Sequence, residues 1–216
     1  MKGDSIVVED HHRSAAEELC PYLLDRVKEC QGKYVITVAG ESGSGKSETA
    51  TAIAEMLSRR NIPAVIIQQD DYFIYPPKSN DARRRADISK VGPHEVAVKL
   101  LDSHLRAFRN GVKHIEKPLV DYDGDTIDRE EIDLVGIQVA IAEGTYTSLL
   151  ENVDMKIFIA RDYNQTRQHR EKRKRDVAEL DTFIDQVLKI EHTIISSHRM
   201  HANVVINADY SVSYSD

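Results

Sequence analysis

The chain has 216 residues and a mass of 24.5 kDa, enough for one sizeable globular domain and short for two. Hydrophobic residues make up 41% and charged residues 30%, which excludes a disordered chain and suits a soluble α/β or α+β enzyme. With 36 acidic against 29 basic residues the net charge is -7, so polyanionic nucleic acid and acidic membrane are poor default partners.

Cys20 and Cys30 fit neither a redox pair nor a zinc site, so a reducing compartment is expected. The opening residues carry no signal-peptide pattern, and no stretch approaches the roughly 20 apolar residues a membrane span needs. A cytoplasmic protein is the expectation.

In chain order, residues 1–30 read as a helical extension, with Leu19, Tyr22, Leu23 and Val27 on one face of a helix over 15–29. A β-branched run over 34–39 ends in a glycine-rich turn. Residues 47–60 form a helix carrying Ala50, Ile53, Ala54 and Leu57 on one face, and 64–68 form a second strand. This strand–turn–helix–strand order implies a parallel sheet. Residues 70–93, polar and rich in proline and arginine, read as a loop with one short helix at most. A helix over 94–109 buries Val98, Leu101, Leu105 and Phe108, and Asn110-Gly111 ends it.

Asp123-Gly124 marks the turn of a hairpin over 114–128. The apolar runs 135–142 and 155–160 suit strands buried on both faces. A very basic helix over 163–176, an amphipathic helix over 180–196 and a strand over 203–206 complete the chain. The expected fold is a three-layer αβα domain with about five parallel strands, an inserted hairpin and a helical lid over 163–180.

Gly40-Glu41-Ser42-Gly43-Ser44-Gly45-Lys46-Ser47 matches the G-x-x-x-x-G-K-[ST] phosphate-binding loop in full. Glycines let the backbone turn its N–H groups onto an anion, and the following helix adds its positive end. Lys46 reaches the β and γ phosphates, and the Ser47 hydroxyl can ligate Mg²⁺. The neighbouring Glu48 is placed with the nucleotide site. A strand before the motif and a helix after it set it apart from a chance match.

Three further groups point to phosphoryl transfer. Asp70-Asp71 lies past the second strand, beside the phosphate loop, where ligands bind in parallel α/β sheets. A carboxylate there can accept the proton of an attacking hydroxyl or hold Mg²⁺-bound water. Solvated strand-end aspartates are the plain alternative. Glu143 closes an apolar strand and suits a Mg²⁺ position. The stretch 167–175, six of nine residues basic, suits a lid that neutralises the migrating charge; a solvated helix or a nucleic-acid patch are the alternatives.

GESGSGKS, QDDYF, EGTY and the arginine-rich stretch ending in Arg175-Asp176 together resemble the uridine kinase and phosphoribulokinase family over residues 34–206. The resemblance implies a P-loop kinase fold, ATP with Mg²⁺, and a small-molecule hydroxyl acceptor. It implies Asp70 as catalytic base, with Arg170, Arg173 and Arg175 among the lid and adenine-side arginines. Acceptor contacts would come from Asp70, Tyr72, Phe73, Arg83, His94, Tyr122 and Glu143, and Mg²⁺ from Ser47, Asp70 and Glu143.

The family's acceptor-binding Asp-His-Pro appears here only as Gly92-Pro93-His94-Glu95, Phe73 stands for a tyrosine, and the lid ending differs. A nucleoside is the leading acceptor and a sugar phosphate or polyol acid the alternative. Lys117 to Asp128 is similar to a phosphoribulokinase hairpin, and Arg83-Arg84-Arg85 can clamp a phosphate on the acceptor. A regulatory nucleotide-binding module and a polynucleotide end kinase remain open as other classes. No nucleic-acid or membrane partner is expected, and a homo-oligomer is open. His192, His198 and His201 read as packing or capping residues.

Overall fold

The computed structural model describes residues 1–3, 6–162, 165–166 and 182–215. Its elements run α1 (Asp10–Glu29), β1 (Tyr34–Gly40), α2 (Lys46–Ser58), β2 (Ala64–Gln68), α3 (Pro77–Ala86), α4 (Val98–Arg109), β3 (His114–Asp121), β4 (Thr126–Asp133), β5 (Val139–Glu143) and β6 (Met155–Ile159). After the undescribed stretch come α5 (Thr182–Ile195), β7 (Val204–Ile206) and β8 (Val212–Tyr214).

Six strands form one sheet in the order β2-β5-β1-β6-β7-β8. The first five are parallel and β8 closes the edge antiparallel to β7. β1 and β5 are buried along their whole lengths, as strands covered by helices on both faces must be. Because side chains alternate along a strand, Ile36, Val38 and Ile141 face α1 and α2, while Val35, Ala140 and Ala142 face Leu101, Leu105 and Phe108 of α4. The αβα layering and five parallel strands match the expectation. No helix among the described residues is long and apolar enough to cross a membrane. Both cysteines are free thiols.

Four elements differ from the sequence reading, each for a local reason. α1 starts at Asp10, because the His12 ring accepts the Glu9 N–H at 3.1 Å and closes the first turn. Residues 77–86 form a full α3, opened by Pro77 in its first turn. The hairpin strands run on to Asp133, and β5 begins only at Val139. Between them Asp133 accepts the Val135 N–H and Gly136 takes a φ of +75°, so 135–138 turns instead of extending. Residues 93–95 form a 3-10 turn ahead of α4.

β3 and β4 form a separate two-stranded sheet. It is anchored by Asp71, whose carboxylate takes Lys117 Nζ at 2.6 Å and the Val120 N–H at 3.0 Å. Lys117 and Asp71 are both buried, and the pair is extended by Glu130 on Lys117 and by the Met1 ammonium on Asp71.

Gly144 ends β5 with φ +155°, and a Cβ there would lie 2.3 Å from Gln69 Cβ. Gln69 is itself held by the Tyr146 N–H, 2.6 Å from its Oε1. Gly144→Ala is therefore expected to cost about 2–4 kcal/mol, from steric clash and left-handed strain, lowering Tm by roughly 5–10 °C in thermal denaturation. An unchanged Tm would show that the Gln69 segment gives way freely.

Candidate active site

The turn between β1 and α2 contains Gly43 at φ +75° and Gly45 at φ +97°, left-handed conformations that glycine adopts without penalty. They curl the backbone around a space facing the start of α2, whose first N–H groups have no partner inside the helix. Lys46 Nζ spans this loop, donating to the Glu41 carbonyl at 2.9 Å. The Ser44 hydroxyl is buried without a partner among the described residues, as a group awaiting an anion would be. A Cβ on Gly45 would meet His12 Nε2 at 3.0 Å and the Tyr210 hydroxyl at 3.3 Å, so α1 and the β7–β8 turn press against the back of the loop. These backing residues carry no motif and were missed in the sequence.

The sheet register sets what stands beside the loop. Val38 of β1, Glu143 of β5 and Gln68 of β2 lie in line across three adjacent strands. Glu143 Oε1 accepts the Ser47 hydroxyl at 3.1 Å. Burial, with the Asp70 charge adding to it, pushes the Glu143 carboxyl up to about 7, against the opposing pull of Lys46, Ser47 and Gln68. A hydroxyl and a buried carboxylate in contact, strained by a second carboxylate and open to neutralisation, form an oxygen donor set that fits Mg²⁺.

Asp70 follows Gln68 at the carboxyl end of β2 and lines a pocket of about 220 Å³. Phe73, Tyr75 and Tyr122 supply its aromatic walls, and Asn80, Asp81 and Arg84 of α3 its polar side. Met1 and Val120 also face it. The entry segment is pinned by two backbone bonds, Ile74 N–H to the Glu95 carbonyl and Ala97 N–H to the Tyr72 carbonyl, both 2.8 Å. Glu95 is buried and ties the pocket wall together: its Oε2 takes Asn80 Nδ2 and Arg84 Nε, each at 2.6 Å, and its Oε1 takes the Gly92 N–H at 2.7 Å.

Several expected acceptor residues are elsewhere. Tyr72 is fully buried against α4, its hydroxyl 2.8 Å from His104 Nδ1, because the residue after Asp71 turns inward to the core. His94 is exposed on the 3-10 turn, and its neighbour Glu95 takes the inward position. Arg83 is exposed and lies over the Tyr75 ring at 3.9 Å, while Arg85 pairs with Asp81 at 2.7 Å. Only Arg84 of the three lines the pocket, and it is already ion-paired, so the phosphate clamp expected of Arg83-Arg84-Arg85 is not formed. Glu48 is buried in the first turn of α2 on the side of Tyr210, behind the loop.

Asp70, Phe73 and Tyr122 do converge on the pocket, and Glu143 stands between it and the phosphate loop. The lid region, with Arg170, Arg173 and Arg175, lies outside the described residues. α5, which follows it, reaches both halves of the site. Glu191 Oε1 is 3.6 Å from Arg84, and His192 Nδ1 is 2.5 Å from Glu41 Oε1 of the loop. Neither contact was legible beforehand, since His192 read only as a packing or capping residue.

A glycine-curled anion loop on β1, an acid on β5 and a pocket past β2 define the class: a P-loop nucleotide-binding protein with a cavity beside the loop. More narrowly, residues 35–202 match the profile of the Phosphoribulokinase / Uridine kinase family, and the chain belongs to that family of kinases. It is 28% identical over 194 residues to the bifunctional alpha-galactosidase/sucrose kinase AgaSK of Mediterraneibacter gnavus, covering 84% of this chain but 21% of that protein. It is 29% identical to the uridine kinase of Alkaliphilus metalliredigens, covering 79% and 85% of the two chains. The structure of a possible uridine kinase from Bacillus stearothermophilus superposes with a TM-score of 0.65 at 18% identity, covering 89% and 97%.

A carboxyl raised on folding holds more protons in the folded than in the unfolded chain between about pH 4.5 and 7, so its contribution to stability falls as pH rises through that window. Glu143→Gln is thus expected to stabilise the nucleotide-free protein at pH 8, by up to about 3 kcal/mol, with most of the gain lost by pH 5. Urea unfolding at the two pH values measures this. A variant less stable than wild type at pH 8 would contradict the burial argument.

Proposed function

We propose that this chain is an ATP- and Mg²⁺-dependent kinase that phosphorylates a sugar hydroxyl of a small metabolite held in the pocket beside Asp70. The observation carrying this reading is the shared edge of β1, β5 and β2, which sets the anion loop, Glu143 and Asp70 side by side. Lys46 and the loop N–H groups bind the β and γ phosphates. Ser47 and Glu143, with Asp70 at their side, would hold Mg²⁺, which when bound supplies charge neutralisation at those phosphates. Asp70 orients the acceptor hydroxyl and accepts its proton as the new O–P bond to the γ-phosphorus forms and the bond from that phosphorus to the β–γ bridging oxygen breaks, releasing ADP. Asp71 takes no part, being bound to Lys117 and Val120.

Uridine and sucrose, the substrates in the names of two relatives, both present sugar hydroxyls, and this shared chemistry supports the acceptor class. Support for a nucleoside in particular is thinner than the motifs suggest, because Tyr72 and His94 do not reach the pocket.

The test is an ADP-release assay at fixed MgATP across nucleosides, free saccharides, glycerate and pantothenate. Asp70→Asn is expected to lower kcat by roughly 10²–10⁴-fold while ATP affinity stays within about threefold. Lys46→Ala is expected to weaken ATP binding as well as turnover. Near-normal turnover in Asp70→Asn would remove it as the base.

A further inference from the structure

The pocket's one arginine is neutralised before any acceptor arrives. Arg84 is largely buried, its Nε bonded to Glu95 Oε2 at 2.6 Å and its Nη2 3.6 Å from Glu191 Oε1. Both carboxylates are more than nine-tenths buried, and Glu191 Oε2 has no hydrogen-bond partner among the described residues. The other charged groups lining the cavity among the described residues are Asp70, Asp81 and the Met1 ammonium, which Asp71 pairs at 3.2 Å. Asp81 is shared with Arg85 on the solvent side, and Arg83 lies over Tyr75. Lys117, nearby on β3, is taken up by Asp71 and Glu130. Glu95 alone cancels the guanidinium charge and Asp71 offsets the Met1 ammonium, so Asp70 leaves the cavity negative whatever Glu191 carries.

We propose that the Arg84–Glu95–Glu191 cluster selects an uncharged acceptor and excludes phosphorylated or carboxylated ones. This inference rests on the kinase reading above and names the substrate class of the same site. A guanidinium has five N–H donors in a rigid fork, and with its charge cancelled by carboxylates the remaining donors serve neighbouring hydroxyls of a sugar ring. Asn80, whose amide is fixed by Glu95, stands beside it. Phe73, Tyr75 and Tyr122 give the ring apolar faces to lie on. A phosphate or carboxylate entering here meets Asp70, while the nearby cations Arg84, Arg85 and the Met1 ammonium are each already matched by a carboxylate, and such like-charge contact in a half-enclosed site is repulsive. Glu95 and Glu191 act through Arg84 and are positioning residues; Arg84 is the group that touches the acceptor.

The experiment measures kcat/KM for matched acceptors that differ only in charge: ribose against ribose 5-phosphate, fructose against fructose 6-phosphate, glucose against glucuronate, and glycerol against glycerate. Uridine and sucrose are added as separate arms to tell a nucleoside from a free saccharide. The expected result is a preference of at least tenfold for the uncharged member of each pair that reacts. In Glu191→Gln and Asp81→Asn the ratio of anionic to uncharged turnover is expected to rise at least fivefold, a gain that loss of packing alone would not produce. Binding of an ATP analogue and the melting temperature verify that each variant is folded. Preference for the anionic members in the wild type would overturn the proposal, as would an unmoved ratio in both folded variants. If no acceptor stimulates ADP release while ATP still binds, the kinase reading itself fails.

Discussion

The register of β1, β5 and β2 is the constraint on which the rest depends. All three strands are parallel, and β1 and β5 are buried along their whole lengths, so a slip of one residue would turn their core-facing side chains to the opposite layer. That penalty locks Val38, Glu143 and Gln68 into one line. The anion loop, the Ser47–Glu143 contact and Asp70 then follow from where each strand ends. The carboxylates are costly where they stand: Glu143 is held away from water with Asp70 nearby. Such a cost is tolerated at functional sites, and the proposed cation and polyphosphate would offset it here.

A second layer of organisation joins the two halves of the site through α5. Its adjacent residues Glu191 and His192 point to different partners, one to Arg84 in the pocket wall and one to Glu41 in the phosphate loop. α5 is joined directly to the basic stretch read as a lid. The helix therefore ties the wall of the pocket and the phosphate loop into one set of contacts. Glu95 performs a comparable task on the other side, joining α3 to the turn before α4 with three hydrogen bonds to one carboxylate.

The phosphate loop was readable because its function is written in backbone conformation: only glycine reaches the φ values of Gly43 and Gly45 at no cost, so the residue types betray the geometry. The sheet was readable for a similar reason, since strands buried on two faces must be apolar throughout. α3 was harder. Its sequence, PKSNDARRRA, has almost no apolar periodicity, and it is held by Arg84 and Asn80 reaching Glu95, contacts between distant residues. The same blindness affected the arginine run. Which of Arg83, Arg84 and Arg85 faces inward depends on the phase of a helix packed against its neighbours, and no local pattern announces it. Tyr72 and His94 looked like site residues through the family pattern. Their burial and exposure were decided by the core under Asp71 and by Glu95 taking the inward position.

The most direct test of the account is a crystal structure with Mg²⁺, a non-hydrolysable ATP analogue and a reactive sugar. The γ-phosphoryl group should sit at Lys46 with the acceptor hydroxyl between it and Asp70, roughly 2.6–3.2 Å from the carboxylate. Finding the acceptor bound elsewhere, or the Asp70 side chain directed away from the terminal phosphate, would contradict it.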